Sequence, residues 1–301
     1  MAGLKKIVIT GVSGFIGFNL ARYLGTDYEI IGIDKEPWKD SACYKFYQQD
    51  INDPLPNIKD VYAVIHLAAK AGVRESQDNF EQYVKDNILG TKNLLDKCKD
   101  WKPKLILLAS SSSVYGDSKE PSHEIDKLHP KSLYAASKVA MEEIGSSYSE
   151  SILDCPITSL RFFTVYGPNQ RKGLAIRNFI DNILREVPIT IYGDGFQRRD
   201  FTYIDDLCYM IECLLVNPEK LNNIKTLNLG YGITHSLYDI IYTTSKLTGK
   251  VVRMKYEPKD PHDVYKTETD PSLLSFLIEL NEPVSLEEGL KKQIEWSKKW
   301  N

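Results

Sequence analysis

Short, almost continuous apolar runs punctuate the first half of the chain, and between them apolar residues recur every three to four positions. The runs are Ile7-Val8-Ile9-Thr10, Glu29-Ile30-Ile31-Gly32-Ile33, Tyr44-Lys45-Phe46-Tyr47-Gln48-Gln49, Ala63-Val64-Ile65-His66 and Leu105-Ile106-Leu107-Leu108-Ala109. Runs of this length and apolar content predict strands, and the most continuous of them predict strands covered on both faces. The periodic stretches predict helices: one through Leu20, Ala21 and Leu24 that stops at Gly25, one from Asp78 to Cys98, and one from Lys131 to Ser149. Strand and helix in alternation predict an α/β fold with a doubly wound parallel sheet. From about Gly167 the pattern mixes helices with short strands: a helix over Leu174 to Arg185, a strand at Ile189 to Tyr192, and a helix over Asp205 to Leu215 that returns to the first unit. The expected division is residues 1–166, with a returning segment at about 200–230, and a smaller C-terminal unit, 167–301. The last helix, Leu286 to Trp300, places Leu286, Leu290 and Ile294 on one face and pairs Glu287 and Glu288 with Lys291 and Lys292.

Composition narrows the classes. With 301 residues, 42% hydrophobic and 26% charged, the chain can bury a full core. Its net charge is −3, and basic and acidic residues are mixed along its length, so no basic stripe points to nucleic acid. Five scattered cysteines without a Cys-x-x-Cys argue against a disulfide framework or a zinc site and are expected to be reduced and buried. Neither a signal-peptide core nor a run of about 18 apolar residues is present, which leads to the expectation of a cytoplasmic protein without membrane contact.

Two stretches carry chemistry. Gly11-Val12-Ser13-Gly14-Phe15-Ile16-Gly17 joins the first strand to the first helix, where a pyrophosphate can approach the backbone and meet unpaired N-H groups. Asp34 closes the next strand, about 20 residues on, where a carboxylate binds ribose hydroxyls and repels a 2′-phosphate; this favours NAD over NADP. The second stretch begins with Ser110-Ser111-Ser112-Ser113-Val114-Tyr115-Gly116 at the end of the Leu105 strand, where open α/β sheets bind ligands. Tyr134 and Lys138 follow, four apart and so on one helical face. A free phenol titrates near ~10, so the neighbouring ammonium is expected to lower it and make Tyr134 a general base. His66, at the end of an apolar strand, reads as a packed and hydrogen-bonded histidine.

In this order Gly11 to Gly17, Asp50-Ile51, His66-Leu-Ala-Ala69, Ser110 to Gly116, Tyr134 to Lys138, Arg161-Phe-Phe-Thr-Val-Tyr-Gly-Pro168 and Tyr192-Gly-Asp-Gly195 through Arg199 to Asp206 resemble the extended short-chain dehydrogenase/reductases that act on nucleotide-diphosphate sugars. The resemblance covers nearly the whole chain. It implies a Rossmann domain for NAD followed by a UDP-sugar domain. It assigns the cofactor to Gly11, Gly14, Phe15, Ile16, Gly17, Asp34, Asp50, Ile51, Leu67, Ala68 and Ala69, with Tyr134 and Lys138. Ser111 and Tyr134 would bind the sugar O4, Lys138 the nicotinamide ribose, and Arg199 the diphosphate. A homodimer through the Asp78 to Cys98 and Lys131 to Ser149 helices follows from the same analogy.

Departures within the family select a reaction. Sugar 4,6-dehydratases carry an acidic pair where Ser112 and Ser113 stand, and UDP-xylose-forming decarboxylases keep a glutamate at the Ser113 position. Epimerisation at C4 through a transient 4-keto sugar needs neither. Ala71-Gly72-Val73-Arg74, the polyserine end and Thr164 look most like UDP-glucuronate 4-epimerases, with Ser112, Ser113 and Thr164 cradling a C5 carboxylate. The family's Arg-Pro-Asp-Met-Ala becomes Arg171-Lys172-Gly173-Leu174-Ala175, and the loop Asp260 to Val264 lacks the arginine that UDP-glucose epimerases place near the diphosphate. Thr267 stands where the family has a bulky tyrosine guarding C2, which implies room for UDP-N-acetylglucosamine; UDP-glucose is the other alternative. A non-catalytic NAD-sensing regulator on this scaffold would lose the tyrosine or the lysine, and this chain keeps both.

Overall fold

The computed structural model describes residues 3–117, 121–259 and 264–300. In chain order its strands are β1 (Lys6–Thr10), β2 (Glu29–Asp34), β3 (Lys45–Gln48), β4 (Val61–His66), β5 (Leu105–Ser111), β6 (Ile157–Phe162), β7 (Thr164–Tyr166), β8 (Ile189–Tyr192), β9 (Arg198–Tyr203), β10 (Thr226–Leu229), β11 (Thr234–Ser236), β12 (Met254–Glu257) and β13 (Lys266–Thr267). Seven of them form a parallel sheet in the order β10-β6-β5-β4-β1-β2-β3. The order reverses at β1, flanked by β2 and β4, so the carboxyl ends of β1 and β4 open the crevice where doubly wound folds hold their ligands.

The apolar alternation explains the layers. Ile7, Ile9, Ala63, Ile65, Leu105 and Leu107 feed one core, whereas Val8, Val64, Ile106 and Leu108 feed the other. Each side chain of this size contributes about 1.5–3 kcal/mol when fully buried. The first face carries the Phe15–Leu24 helix and, packed on it, the Ile204–Val216 helix. The second carries the Gly90–Trp101 and Leu133–Ser151 helices. β10 returns late in the chain to the edge beside β6. The remaining strands form two small sheets: β7, β11 and β13 all pair β9, and β12 pairs β8.

Three expectations change. The helix expected from Asp78 to Cys98 is interrupted: Glu75–Asp78 ends at Asn79 in a non-helical conformation, Phe80–Tyr83 follows, Val84–Leu89 is a π-turn, and a regular helix runs only over Gly90–Trp101. The π-turn aims Asn87 inward, where its amide bonds the backbone of Lys70 in both directions and donates to Ser137 Oγ. Apolar periodicity is blind to one extra residue per turn of this kind. Cys98 and Cys208 are buried, but Cys43, Cys155 and Cys213 are only partly so; all five are free thiols. Glu288 pairs with Lys292 as expected, whereas Glu287 reaches across to Lys246 at 3.3 Å, since the neighbouring helix offers its cation on that side.

Candidate active site

At the dinucleotide end the backbone itself is the cradle. Gly11 adopts φ +70°, and a Cβ there would stand 2.5 Å from the Ala68 nitrogen; a Cβ on Gly17 would stand 2.3 Å from the Gly11 oxygen. Helix Phe15–Leu24 starts at Gly14 without a side-chain cap and without an acid in its first turn. Its first N-H groups and dipole therefore face a cleft of about 980 Å³ lined by Gly11, Gly14, Phe15, Ile16 and Gly17. That donor set fits a dinucleotide's diphosphate.

Not every expected cofactor residue lines this cleft. Leu67 and Ala69 do, but Asp34, Asp50, Ile51 and Ala68 do not, and Lys35 and Asp86, 3.8 Å apart, form that stretch of wall. Asp34 spends its carboxylate on the Ser13 and Glu36 N-H groups at 2.9 Å each, while burial raises its pKa. Asp50 accepts the N-H and side-chain amide of Asn52, which hold its pKa down, and Ile51 is buried beneath Gly90. His66 is buried between Thr10 Oγ1 (2.7 Å) and Thr91 Oγ1 (3.0 Å), and burial depresses its pKa to about 3, so it is a neutral packing residue as expected.

Beyond the crevice two positions of one helix meet one strand end. Ser132 Oγ caps the Leu133–Ser151 helix through the Ala135 N-H, which orients its first turns. Tyr134 is hydrogen-bonded to Ser111, and Tyr83 meets its ring edge-on at 6.2 Å. Lys138, 2% exposed, donates from Nζ to the Ala109 carbonyl at 2.6 Å. The expectation that this ammonium lowers the Tyr134 pKa is not met. Burial dominates and raises it, and the opposing influences are the Ser111 bond and the positive charge of Arg171. Lys138 is itself lowered to about 8 by burial, against the attraction of Glu142.

A side chamber of about 260 Å³ opens where Ser111 hands over to Ser112 and Ser113. Every expected substrate residue lines it: Arg74, Ser112, Ser113, Thr164, Arg199 and Thr267. Lys131 and Ser132 join them, and among the described residues no Asp or Glu lines it. Arg74, Thr164 and Arg199 face the main cleft as well. The Arg74 guanidinium lies 4.0 Å over the Tyr192 ring, and Lys131 pairs with Asp117. Arg199 donates to the carbonyls of Arg198 (2.7 Å), Val264 (2.6 Å) and Tyr265 (3.2 Å). Thr267 sits beside it because β13 pairs β9 at Thr267 and Arg199. Its Oγ1 is buried with no hydrogen-bond partner among the described residues. Thr267 thus shares one space with Ser112, Ser113 and Thr164, where a C2 gate and a C5 cradle were expected on different sides of the sugar. Residues 260–263 of the loop thought to lack an arginine lie outside the described residues.

Sequence reasoning missed Lys131, Arg171 and Glu142. Glu142 alone left a usable signal, being one more i+4 step beyond Tyr134 and Lys138.

A hydroxyl, a phenol and a buried ammonium at the mouth of a dinucleotide cradle suit hydride transfer at a hydroxyl-bearing carbon, so fold and site together define a dinucleotide-dependent short-chain dehydrogenase/reductase architecture. Within it, the chain belongs to the NAD dependent epimerase/dehydratase family, whose sequence profile matches residues 7–230. The UDP-glucuronate 4-epimerase of Thermodesulfobacterium geofontis (strain OPF15) is 39% identical over 97% of this chain and 95% of that protein. A solved UDP-glucuronic acid 4-epimerase from Bacillus cereus, in complex with UDP-glucuronic acid and NAD, superposes with TM-score 0.89 at 34% identity, covering 98% of this chain and all of that one. The UDP-N-acetylglucosamine 4-epimerase from Methanobrevibacter ruminantium M1, in complex with UDP-N-acetylmuramic acid, superposes with TM-score 0.90 at 27% identity and covers 100% of both chains.

Proposed function

We propose that this enzyme interconverts the C4 epimers of UDP-glucuronate. The observation that carries the sugar is the side chamber: Arg74, Lys131 and Arg199 with hydroxyls from Ser112, Ser113, Ser132, Thr164 and Thr267, and no carboxylate among the described residues that line it. Such a chamber suits a C5 carboxylate, because charge-assisted hydrogen bonds need cations and hydroxyls and are spoiled by acids. It does not suit dehydration or decarboxylation, which call for a carboxylate at the Ser112 or Ser113 positions.

The Gly11 to Gly17 loop would hold NAD, which when bound would supply reversible hydride transfer at C4. Tyr134 as phenolate takes the O4 proton, Ser111 holds O4 by a hydrogen bond, and Tyr134 gives the proton back once the 4-keto sugar has turned its other face. Lys138 provides a fixed positive charge beneath, and Arg199 holds the diphosphate. Residues 1–166 with the returning segment at about 200–230 carry the cofactor and also lend Arg74, Ser112, Ser113, Lys131, Ser132 and Thr164 to the sugar chamber, which residues 167–301 complete with Arg199 and Thr267. The placement of β10 and the Ile204–Val216 helix against the first sheet supports that division. Among the described residues no helix is long and apolar enough to cross a membrane. The free cysteines fit a reducing compartment, and we place the enzyme in the cytoplasm. Leu89, 53% exposed on the π-turn, supports a homodimer through that segment and the Leu133–Ser151 helix; a monomer by light scattering at micromolar concentration would refute it.

A second sugar has its own observation. The small Thr267, whose Oγ1 has no hydrogen-bond partner among the described residues, leaves space that an N-acetyl group can use, and one solved relative is named for such a sugar. Competition of UDP-glucuronate, UDP-N-acetylglucosamine and UDP-glucose, with C4 epimers resolved by NMR, tests both readings. A strong preference for UDP-glucose would sink the carboxylate assignment.

A further inference from the structure

Tyr134, Lys138 and Glu142 stand at successive i+4 positions of one helix, and each grips a different residue at the end of β5. Tyr134 meets Ser111, Lys138 the carbonyl of Ala109, and Glu142 the hydroxyl of Ser110, which donates to Oε1 at 2.5 Å. Glu142 is 5% exposed, and its remaining capacity goes to Arg161 of β6, with Nε donating to Oε1 at 3.0 Å and Nη2 to Oε2 at 2.8 Å. Arg161 in turn donates to the Tyr115 hydroxyl at 2.8 Å and the Glu124 carbonyl at 3.1 Å, and Tyr115 donates to Asn228 of β10 at 2.7 Å. A buried carboxylate therefore ties the helix that carries the base to three strands of the sheet.

We propose that Glu142 is a positioning residue for the reaction: it holds Ser110 so that Ser111 stays against Tyr134, and it supplies the negative charge that keeps Lys138 an ammonium. This rests on the role of Lys138 given above. The charged and titratable groups around Lys138 are Tyr134 and Glu142 on its own helix and His66 from β4, with Arg161 of β6 bonded to the Glu142 carboxylate. The π-turn faces the helix with Asn87, which is uncharged. His66, depressed to about 3 by burial, is neutral throughout the working range. Burial alone would lower Arg161, but its bonds to Glu142 raise it, so it stays charged. Tyr115, pushed up to about 12 by burial, stays neutral. Removing the Glu142 charge takes away the attraction on Lys138 and leaves the Arg161 charge unopposed. Both changes favour the neutral amine, so Lys138 loses its proton at lower pH.

The test compares pH profiles of kcat from pH 6 to 10 for wild type, Glu142→Gln, and the pair Glu142→Leu with Arg161→Met, which replaces the whole buried ion pair and guards against a misfolded single variant. Wild type should lose activity as pH rises through about 8, the value to which Lys138 is lowered. In Glu142→Gln that limb should fall by roughly one pH unit or more, which is about fivefold or more at pH 8 with little change at pH 6. The double variant should move it in the same direction but less, since only the attraction is lost. A purely structural Glu142 would lower activity or thermal stability evenly and leave the limb in place. A wild-type limb near 8 that stays put in the folded variants overturns the role of Glu142 alone. A wild-type profile flat to pH 10 overturns the role of Lys138 and this proposal with it.

Discussion

The dinucleotide end of the cleft and the sugar end are built from different material. The first is backbone: Gly11 and Gly17 have no room for a Cβ, and an uncapped helix N-terminus faces the cleft. The second is side chain, gathered from six separate stretches at 73–74, 112–116, 131–132, 164, 199 and 264–267. A backbone cradle tolerates almost no substitution, yet it is indifferent to the sugar. A side-chain chamber tolerates many, and each one changes what fits. The two meet at Tyr134, Ser111 and Lys138, which line the main cleft with the glycine loop.

That contrast breaks first under the sugar end, if the chamber proves to stand on nothing firmer than surface loops. Beside Arg199, Asp200 of β9 is fully buried and accepts the N-H groups of Gly232 (3.0 Å) and Thr269 (3.2 Å), which pins to β9 the segments that precede β11 and follow β13. Burial raises its pKa from 3.8 to about 7. Because the folded value lies above the unfolded one, its contribution is complete below pH 3.8 and is lost as pH rises through about 7. A shift of that size corresponds to about 4 kcal/mol. The unfolding free energy of wild type relative to Asp200→Asn should therefore fall by about that much between pH 4 and pH 8. A difference that stays flat with pH would show an ordinary, solvated carboxylate.

At the cofactor end the matching perturbation is Gly17→Ala, which forces a Cβ toward the Gly11 carbonyl. It should cost about 3 kcal/mol by overpacking and strip NAD from the purified protein, whatever sugar is offered. Retention of NAD with wild-type thermal stability would mean that the loop can move aside. At the junction, Tyr134→Phe should leave fold and NAD content intact and reduce kcat at least ~10²-fold for every UDP-sugar alike. Near-normal turnover removes Tyr134 from the mechanism.

The same contrast explains what could be read from the sequence. Glycine spacing and apolar runs report backbone demands, so the doubly wound sheet, the Gly11 to Gly17 loop and the Tyr134–Lys138 face were all legible. The π-turn at Val84–Leu89 was not, because Tyr83, Val84 and Ile88 keep an acceptable helical rhythm through it. Nor could spacing say that Thr267 meets Ser112 and Thr164: only the pairing of β13 with β9 brings residues so far apart in the chain into one chamber. The pKa of Tyr134 was misjudged for a related reason. Sharing a helical face fixes direction but not what the ammonium bonds, and Lys138 turns to the Ala109 carbonyl.

Smaller effects sharpen the comparison inside the chamber. Lys131 lines the chamber and not the main cleft, so Lys131→Met should act on one substituent of the sugar and leave NAD and diphosphate untouched. Its charge is shared with Asp117, which places the expected loss near the low end for a charge-assisted hydrogen bond, about tenfold in kcat/KM for UDP-glucuronate. UDP-glucose, which brings no carboxylate, should change by less than about twofold. Equal losses on both sugars would mean that Lys131 shapes the chamber without reading the carboxylate.

Thr267→Tyr carries the smallest expected effect and decides how the chamber is used. A tyrosine there fills space beside Arg199, and lost space penalises only the substrates that used it. If C2 and C5 substituents occupied separate places, the rate on UDP-N-acetylglucosamine relative to UDP-glucose would fall and that on UDP-glucuronate would hold. The structure places Thr267 in the same chamber as Ser112, Ser113 and Thr164, so both should fall relative to UDP-glucose, each by several-fold to about tenfold. If the 4-keto sugar presents first one edge and then the other to that chamber between its two half-reactions, one small residue would weigh on both. Initial rates on the three sugars, with C4 epimers resolved by NMR, separate the cases. An unchanged N-acetyl rate would remove Thr267 as a gate, and an N-acetyl loss with an unchanged glucuronate rate would divide the chamber in two.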